Sequence, residues 1–278
     1  MTTFAATAPN RRVLVDGIAF AYRDLGPRDG VPVVMLNHWG ATLDNFDPKI
    51  VDGLASKHRV IALNYRGLGL SEGSVRDSVS DMADDMCAVI HELGLAQVDL
   101  LGFSLGGFVA QEITVRHPRL VRKLVLTRTG PAGGEGVGTW GSMPWLFLKS
   151  LLTLRDPKYY LFFPPSPNGR SAAEDFLSRI AERKVERDAS PSALAFYRQT
   201  LAAKAWGKRT PQNLGTIEIP VLIVNGDNDV MVPTDGSRDI AARIPKSQLI
   251  LFEDSGHGAI FQYHEAFVVK CLAFLETS

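Results

Sequence analysis

Short, continuously apolar runs alternate with longer amphipathic stretches along almost the whole chain, and nothing else in the sequence constrains the fold as much. The runs are Arg12–Val15, Ile18–Arg23, Pro32–Asn37, Val60–Asn64, Val98–Phe103, Lys123–Thr127, Pro220–Asn225 and Gln248–Glu253. Most interior ones lack polar alternation, as strands of a parallel sheet covered on both faces require. The first two flank Asp16-Gly17, a hairpin signal, so the sheet is expected to begin antiparallel. Between the runs lie readable helices. Val79, Met82, Met86, Ile90 and Leu93 form one apolar stripe, with Ser78 and Asp81 as a capping signal and Gly94 as a stop. A second helix runs from Leu105 to His117, ahead of Pro118, and a last one from about Gly258 to Leu275. The alternation predicts an α/β fold: a doubly wound, mostly parallel eight-stranded sheet with helices on both faces.

One stretch breaks the rhythm. Between about Pro131 and Thr216 no run reads as a strand, while Ser171–Arg187 and Pro191–Ala205 read as helices and Pro164, Pro165 and Pro167 interrupt a further segment. Such a length is too great for a structureless loop in a compact domain. Residues 131–216 are therefore expected to be a helical cap inserted into a core made of 1–130 and 217–278. The insertion holds Trp140, Trp145, Tyr159 and Trp206 among many aromatics. These four, with Trp39, are the candidates for lining an apolar substrate pocket, although packing the cap is an equally physical use for them.

Composition narrows the functional classes. Lys+Arg and Asp+Glu both number 30, giving zero net charge in 278 residues, so no field recruits nucleic acid or an anionic membrane. No apolar run approaches the roughly 18 residues of a membrane span. The segment Met1–Arg12 lacks the apolar stretch of a secretory signal, and Cys87 and Cys271 cannot staple a disulfide scaffold or build a four-cysteine metal site. A cytoplasmic setting, no metal, no cofactor and a small-molecule substrate are the expectations; oligomeric state leaves no mark on the sequence.

The chemistry-bearing motif follows the run Val98–Phe103. Gly102-Phe103-Ser104-Leu105-Gly106 is a G-x-S-x-G turn between a strand and a helix, which lifts a serine hydroxyl above the strand end. A serine needs a base. Of the six histidines, His58, His91, His117 and His264 fit strand or helix surroundings, and His38 reads as a loop anchor. His257 sits in Asp254-Ser255-Gly256-His257-Gly258, just past the last strand, where open α/β sheets place their sites. The base in turn needs an acid to fix its tautomer. Two aspartates compete in Gly226-Asp227-Asn228-Asp229, and the residues alone leave them level, since Asp227 could equally cap the turn.

Taken together, Ser104, the G-x-x-D-x-x-x-P pattern at Gly226, Asp229 and Pro233, and His257 resemble the α/β-hydrolase superfamily, over nearly all of Arg12 to Leu275. The resemblance implies that fold, a variable cap, and Asp229 as the acid in the chain order Ser104, Asp229, His257. It further implies an oxyanion hole from the Leu105 amide and a second amide after the third strand. The superfamily's His-Gly-x there aligns with His38-Trp39-Gly40, pointing to Gly40 with Trp39 as rival. A fourth match, Asn64-Tyr65-Arg66-Gly67-Leu68-Gly69-Leu70-Ser71, carries Asn64 where relatives carry Asp, which leaves Arg66 without the usual carboxylate.

The expected function is that of a serine hydrolase acting on a small, fairly apolar carboxylic ester through an acyl-enzyme. Carbon–carbon bond hydrolases, perhydrolases and hydroxynitrile lyases share the scaffold, and a ligand-sensing receptor that keeps the triad is the non-enzymatic alternative.

Overall fold

The structure, a computed structural model, describes residues 4–139 and 143–277. Eight strands, β1 (Arg11–Val15), β2 (Ile18–Leu25), β3 (Val33–Leu36), β4 (Val60–Leu63), β5 (Val98–Phe103), β6 (Val121–Thr127), β7 (Val221–Gly226) and β8 (Ser247–Phe252), form one sheet in the order β1-β2-β4-β3-β5-β6-β7-β8. β2 runs antiparallel to both β1 and β4, and every other pairing is parallel. The helices are α1 (Pro48–Ala55), α2 (Val79–Glu92), α3 (Leu105–Arg116), α4 (Met143–Thr153), α5 (Pro157–Phe162), α6 (Pro167–Ile180), α7 (Ala193–Lys208), α8 (Thr234–Arg243), α9 (Ala259–Gln262) and α10 (His264–Glu276). No helix among the described residues is long and apolar enough to cross a membrane.

The continuous apolar runs are explained by what covers the sheet. Successive side chains of a strand point to opposite faces. Val34 and Leu36 of β3 and Ile61 and Leu63 of β4 pack with Met82, Met86 and Ile90 of α2 and Phe108, Val109 and Ile113 of α3. Their neighbours Val33, Met35, Val60 and Ala62 pack on the other face with Ile50 and Leu54 of α1 and Phe267, Cys271 and Phe274 of α10. Both parities are buried, so neither can be polar.

Helix boundaries follow local chemistry. Ser78 Oγ accepts from the Asp81 amide at 3.1 Å and starts α2 as its spacing predicts. Pro164 and Pro165 lie between α5 and α6, while Pro167, expected to interrupt its segment, opens a helix instead, as Pro157 does, with Ser166 and Asp156 as their caps. Proline suits that position because its missing N–H would have had no partner there. The single last helix predicted from Gly258 to Leu275 is in fact two. Tyr263 separates α9 from α10, its hydroxyl donating to the Glu253 carbonyl and its ring stacked on Phe252.

Helices α4 to α7 all lie between β6 and β7 and are tied to the rest by buried charges. Arg179 of α6 makes a two-pronged ion pair with Asp47 and also donates to the Phe261 carbonyl. Asp188, between α6 and α7, accepts from the Leu43 and Leu70 amides and from Asn64 Nδ2. The carboxylate missing at position 64 is thus supplied from the insertion. Arg66 is not left alone either: its Nη1 lies 3.7 Å from Asp85.

Candidate active site

Three loops at the carboxyl ends of β5, β7 and β8 converge on one point. Ser104 follows β5 directly, in a left-handed conformation with φ of 56° and ψ of −116°. That strain requires small neighbours. A Cβ on Gly102 would collide with the Gly106 carbonyl, and one on Gly106 would collide with the Leu36 carbonyl. Side chains are thereby excluded where β5, α3 and β3 crowd together, and the hydroxyl is held above the sheet.

His257, fully buried, stands between Ser104 and Asp229. Its Nδ1 lies 2.8 Å from Asp229 Oδ2 and its Nε2 lies 2.9 Å from Ser104 Oγ. A carboxylate only accepts, so Nδ1 carries the proton and Nε2 is left bare to accept from the serine hydroxyl. The other carboxylate oxygen of Asp229 accepts from the Met231 and Val232 amides at 2.8 and 3.1 Å. Burial works against ionising Asp229, but His257 and Arg128 outweigh it and hold the carboxyl below its ordinary range. Asp227 does something else: its two oxygens accept from the Asp254 and Ser255 amides, capping the loop that carries His257. The two aspartates that the sequence leaves level are therefore separated by what they touch.

His38 is a loop anchor in position and chemistry. Its Nδ1 donates to the Trp39 carbonyl at 2.8 Å, and its ring meets Phe103 and Phe162 edge-on. Burial pulls its pKa down to about 3, so it stays neutral. The neighbouring loop shows a departure from expectation. The Gly40 amide donates to Gln199 Oε1 of α7 at 2.7 Å, which takes the group that the alignment points toward the oxyanion. The same helix receives the Trp39 indole N–H at Phe196 O and Thr200 Oγ1. Leu105 opens α3, and the first amides of a helix have no acceptor within it.

A cavity of about 210 Å³ lies over Ser104 and His257, lined by Trp39, Phe147, Lys158, Leu161, Phe162 and Phe196 among others. A second one, of about 40 Å³, also reaches Ser104 and is lined by Leu105, Phe108, Met143 and Val232. Trp39 and Met231 border both. The other aromatic candidates fare differently. Trp145 is 61% exposed, pointing away from the cavity, and Tyr159 faces a separate surface cleft beside Arg155. Trp206 is only 2% exposed; it stacks on Phe108 and donates to the Gly130 carbonyl, so it belongs to the core. Trp140 lies outside the described residues. Of the lining groups, Phe147 and Phe162 are among the insertion's aromatics without being singled out, while Leu161 and Phe196 are the ones sequence reasoning missed.

Comparison with known proteins agrees with this architecture. Residues 31–262 match the alpha/beta hydrolase fold family. A solved structure, an alpha/beta hydrolase fold protein from Chitinophaga pinensis, is 35% identical, covers 99% of this chain and 100% of its own, and superposes with a TM-score of 0.94. Among curated proteins, a 2-hydroxy-6-oxononadienedioate/2-hydroxy-6-oxononatrienedioate hydrolase from Pseudomonas putida is 31% identical over 92% of this chain and 91% of its own. A proline iminopeptidase from Pestalotiopsis fici is 24% identical over 95% and 98%. A strand–serine–helix turn, an acid after β7, a histidine after β8, and a family match over most of the sequence converge: this chain belongs to the alpha/beta hydrolase fold family.

Proposed function

We propose that the protein is a serine hydrolase of small, largely apolar carboxylic esters. One observation carries the reading: the unbroken hydrogen-bonded line from Asp229 through His257 to Ser104, opening onto an apolar cavity. Ser104 Oγ attacks the ester carbonyl as His257 Nε2 takes its proton. Asp229 holds the imidazole in the required tautomer and balances the imidazolium. The developing oxyanion is received by the Leu105 amide and, because Gln199 occupies Gly40, by the Trp39 amide, each donor contributing on the order of 3 kcal/mol. His257 returns the proton to the departing alcohol and then activates water against the acyl-enzyme. The 131–216 segment acts as a cap: it shapes the cavity without supplying a catalytic group.

The two cavities give the substrate its proportions. By the measure in which one water needs about 10–15 Å³, a space of about 40 Å³ takes a short group of about three heavy atoms, while the larger one, of about 210 Å³, accepts a longer chain. The preferred ester therefore has one short side and one longer apolar side. Carbon–carbon bond hydrolysis is the second reading, favoured by the 31% identical dioate hydrolase and by Lys158, an ammonium in the cavity wall paired with Asp156 at 2.9 Å.

The test is labelling by a fluorophosphonate together with a panel of p-nitrophenyl esters and carbon–carbon substrates. Ser104→Ala is expected to lose labelling and to lower turnover by about 10⁴-fold or more while the fold stays intact. Labelling that persists in Ser104→Ala would overturn the assignment.

A further inference from the structure

Arg128, the residue after β6, is a full positive charge with no exposure to solvent, set directly behind the catalytic acid. Its Nε lies 3.6 Å from Asp229 Oδ2, the same oxygen that receives His257 Nδ1–H. Its Nη1 donates to Asn225 Oδ1 at 2.5 Å, and Asn225 is fixed in turn by its own donation to Ser237 Oγ. Nε and Nη2 find no hydrogen-bond acceptor among the described residues. The backbone at Arg128 is left-handed, with φ of 57°. A buried cation in a strained conformation, three of whose five N–H donors are unused, is costly to keep. Packing does not account for it, since an apolar side chain of similar length would fill the space at lower cost.

We propose that Arg128 is a positioning residue that sets the pH range of the reaction: its charge opposes protonation of the Asp229–His257 pair, so that the imidazole stays available as a base into mildly acid solution. This rests on the triad reading given above. The field at the pair is otherwise simple. Asp227 and Asp229 face Arg128 from the loop after β7; His38 faces His257 from the loop after β3, and Lys158 stands beyond it on α5. His38 is neutral and Lys158 is compensated by Asp156. Burial lowers the guanidinium pKa to about 10, and the nearby carboxylates act in the opposite sense, so Arg128 is cationic throughout the working range.

Removing the charge should let the pair bind a proton at higher pH. A unit charge 3.6 Å from Asp229 Oδ2 is strong enough, at an effective dielectric near 20, to shift such an equilibrium by about one pH unit or more. The experiment measures the rate of fluorophosphonate labelling, and kcat/KM for p-nitrophenyl acetate, from pH 4.5 to 9. In Arg128→Met the half-maximal point on the acid side should move up by about one unit, with roughly tenfold slower labelling near pH 5 relative to the plateau. Arg128→Lys, which keeps the charge, should stay within a few tenths of wild type. Asn225→Asp is a second route that keeps the arginine in place: a carboxylate on Nη1 cancels its field and should also raise the half-maximal point.

A role confined to packing would lower the plateau without moving that point. An unchanged or lowered half-maximal point in folded Arg128→Met, or in Asn225→Asp if the methionine variant does not fold, would overturn the proposal. Its failure is separable from failure of the hydrolase reading, because the wild-type protein must first label at Ser104 with a rate that rises with pH. If it does not, both fall together.

Discussion

At the scale of single residues, two aspartates two positions apart carry different loads. Asp229 bonds to the imidazole, whereas Asp227 bonds only to backbone amides of the loop that presents it. Asp229→Asn is expected to cut kcat by about 10⁴-fold, because an amide can donate to Nδ1 and hold the wrong tautomer. Asp227→Asn keeps an acceptor for one of the two amides and should cost roughly tenfold or less. Steady-state rates on one ester decide this, and a larger loss at position 227 would reverse the roles. Sequence spacing could not choose between the two, since both sit in the same polar turn; the family motif could. No motif reports the Gly40 amide, because its partner Gln199 comes from 159 positions away.

At the scale of elements, legibility followed burial. The strands were readable because both faces of the sheet are covered, leaving one unambiguous pattern. Helix α8 was not read: its sequence, TDGSRDIAAR, buries chiefly Ile240 and small or polar residues, so no apolar stripe marks it. The aromatics proposed for the pocket from residues 131–216 diverged for a geometric reason. Residues two apart on a helix point about 200° away from each other, so Trp145 and Phe147 of α4 cannot both face the cavity. Phe147 lines it and Trp145 meets solvent. Which of the two turns inward depends on how the helix docks, while the 131–216 stretch is tied to distant parts of the chain by Arg179 and Asp188. Asp188 accepts from three groups outside that stretch. Asp188→Ala strands the Leu43 and Leu70 amides and Asn64 Nδ2, and should destabilise the protein by about 2–3 kcal/mol. It should also speed proteolysis between α6 and α7. Unfolding by urea and limited digestion measure the two effects, and wild-type behaviour in both would show that Asp188 carries no load.

At the scale of the whole molecule, the buried histidines make stability depend on pH. His38 has its pKa lowered to about 3 by burial, against about 6.5 in an unfolded chain. The unfolded state therefore binds the extra proton between those values, and the stability that His38 contributes, complete above about pH 6.5, is lost as the pH falls. From pH 7 to pH 5 this amounts to about 2 kcal/mol. Burial lowers His58 and His264 in the same direction, adding to the trend. Thermal unfolding should show Tm falling over this interval by several degrees, with a shallower fall in His38→Gln. An equal slope in the variant would remove His38 from the account.

Ser104 and His257, 2.9 Å apart in space, are 153 positions apart along the chain, with the entire insertion between them. Contacts of such separation form late, because the loop they close must be ordered first. A chain in the act of folding can complete the elbow, and even the hairpin and the first crossings, while remaining chemically inert. On the proposed triad, nucleophilicity would require β7 on the edge of β6 and β8 on the edge of β7. A partly folded copy would then hold a serine without its base and would be unable to acylate itself or a bystander. Recovery of probe labelling during refolding is accordingly a clock for the last step of assembly rather than for collapse.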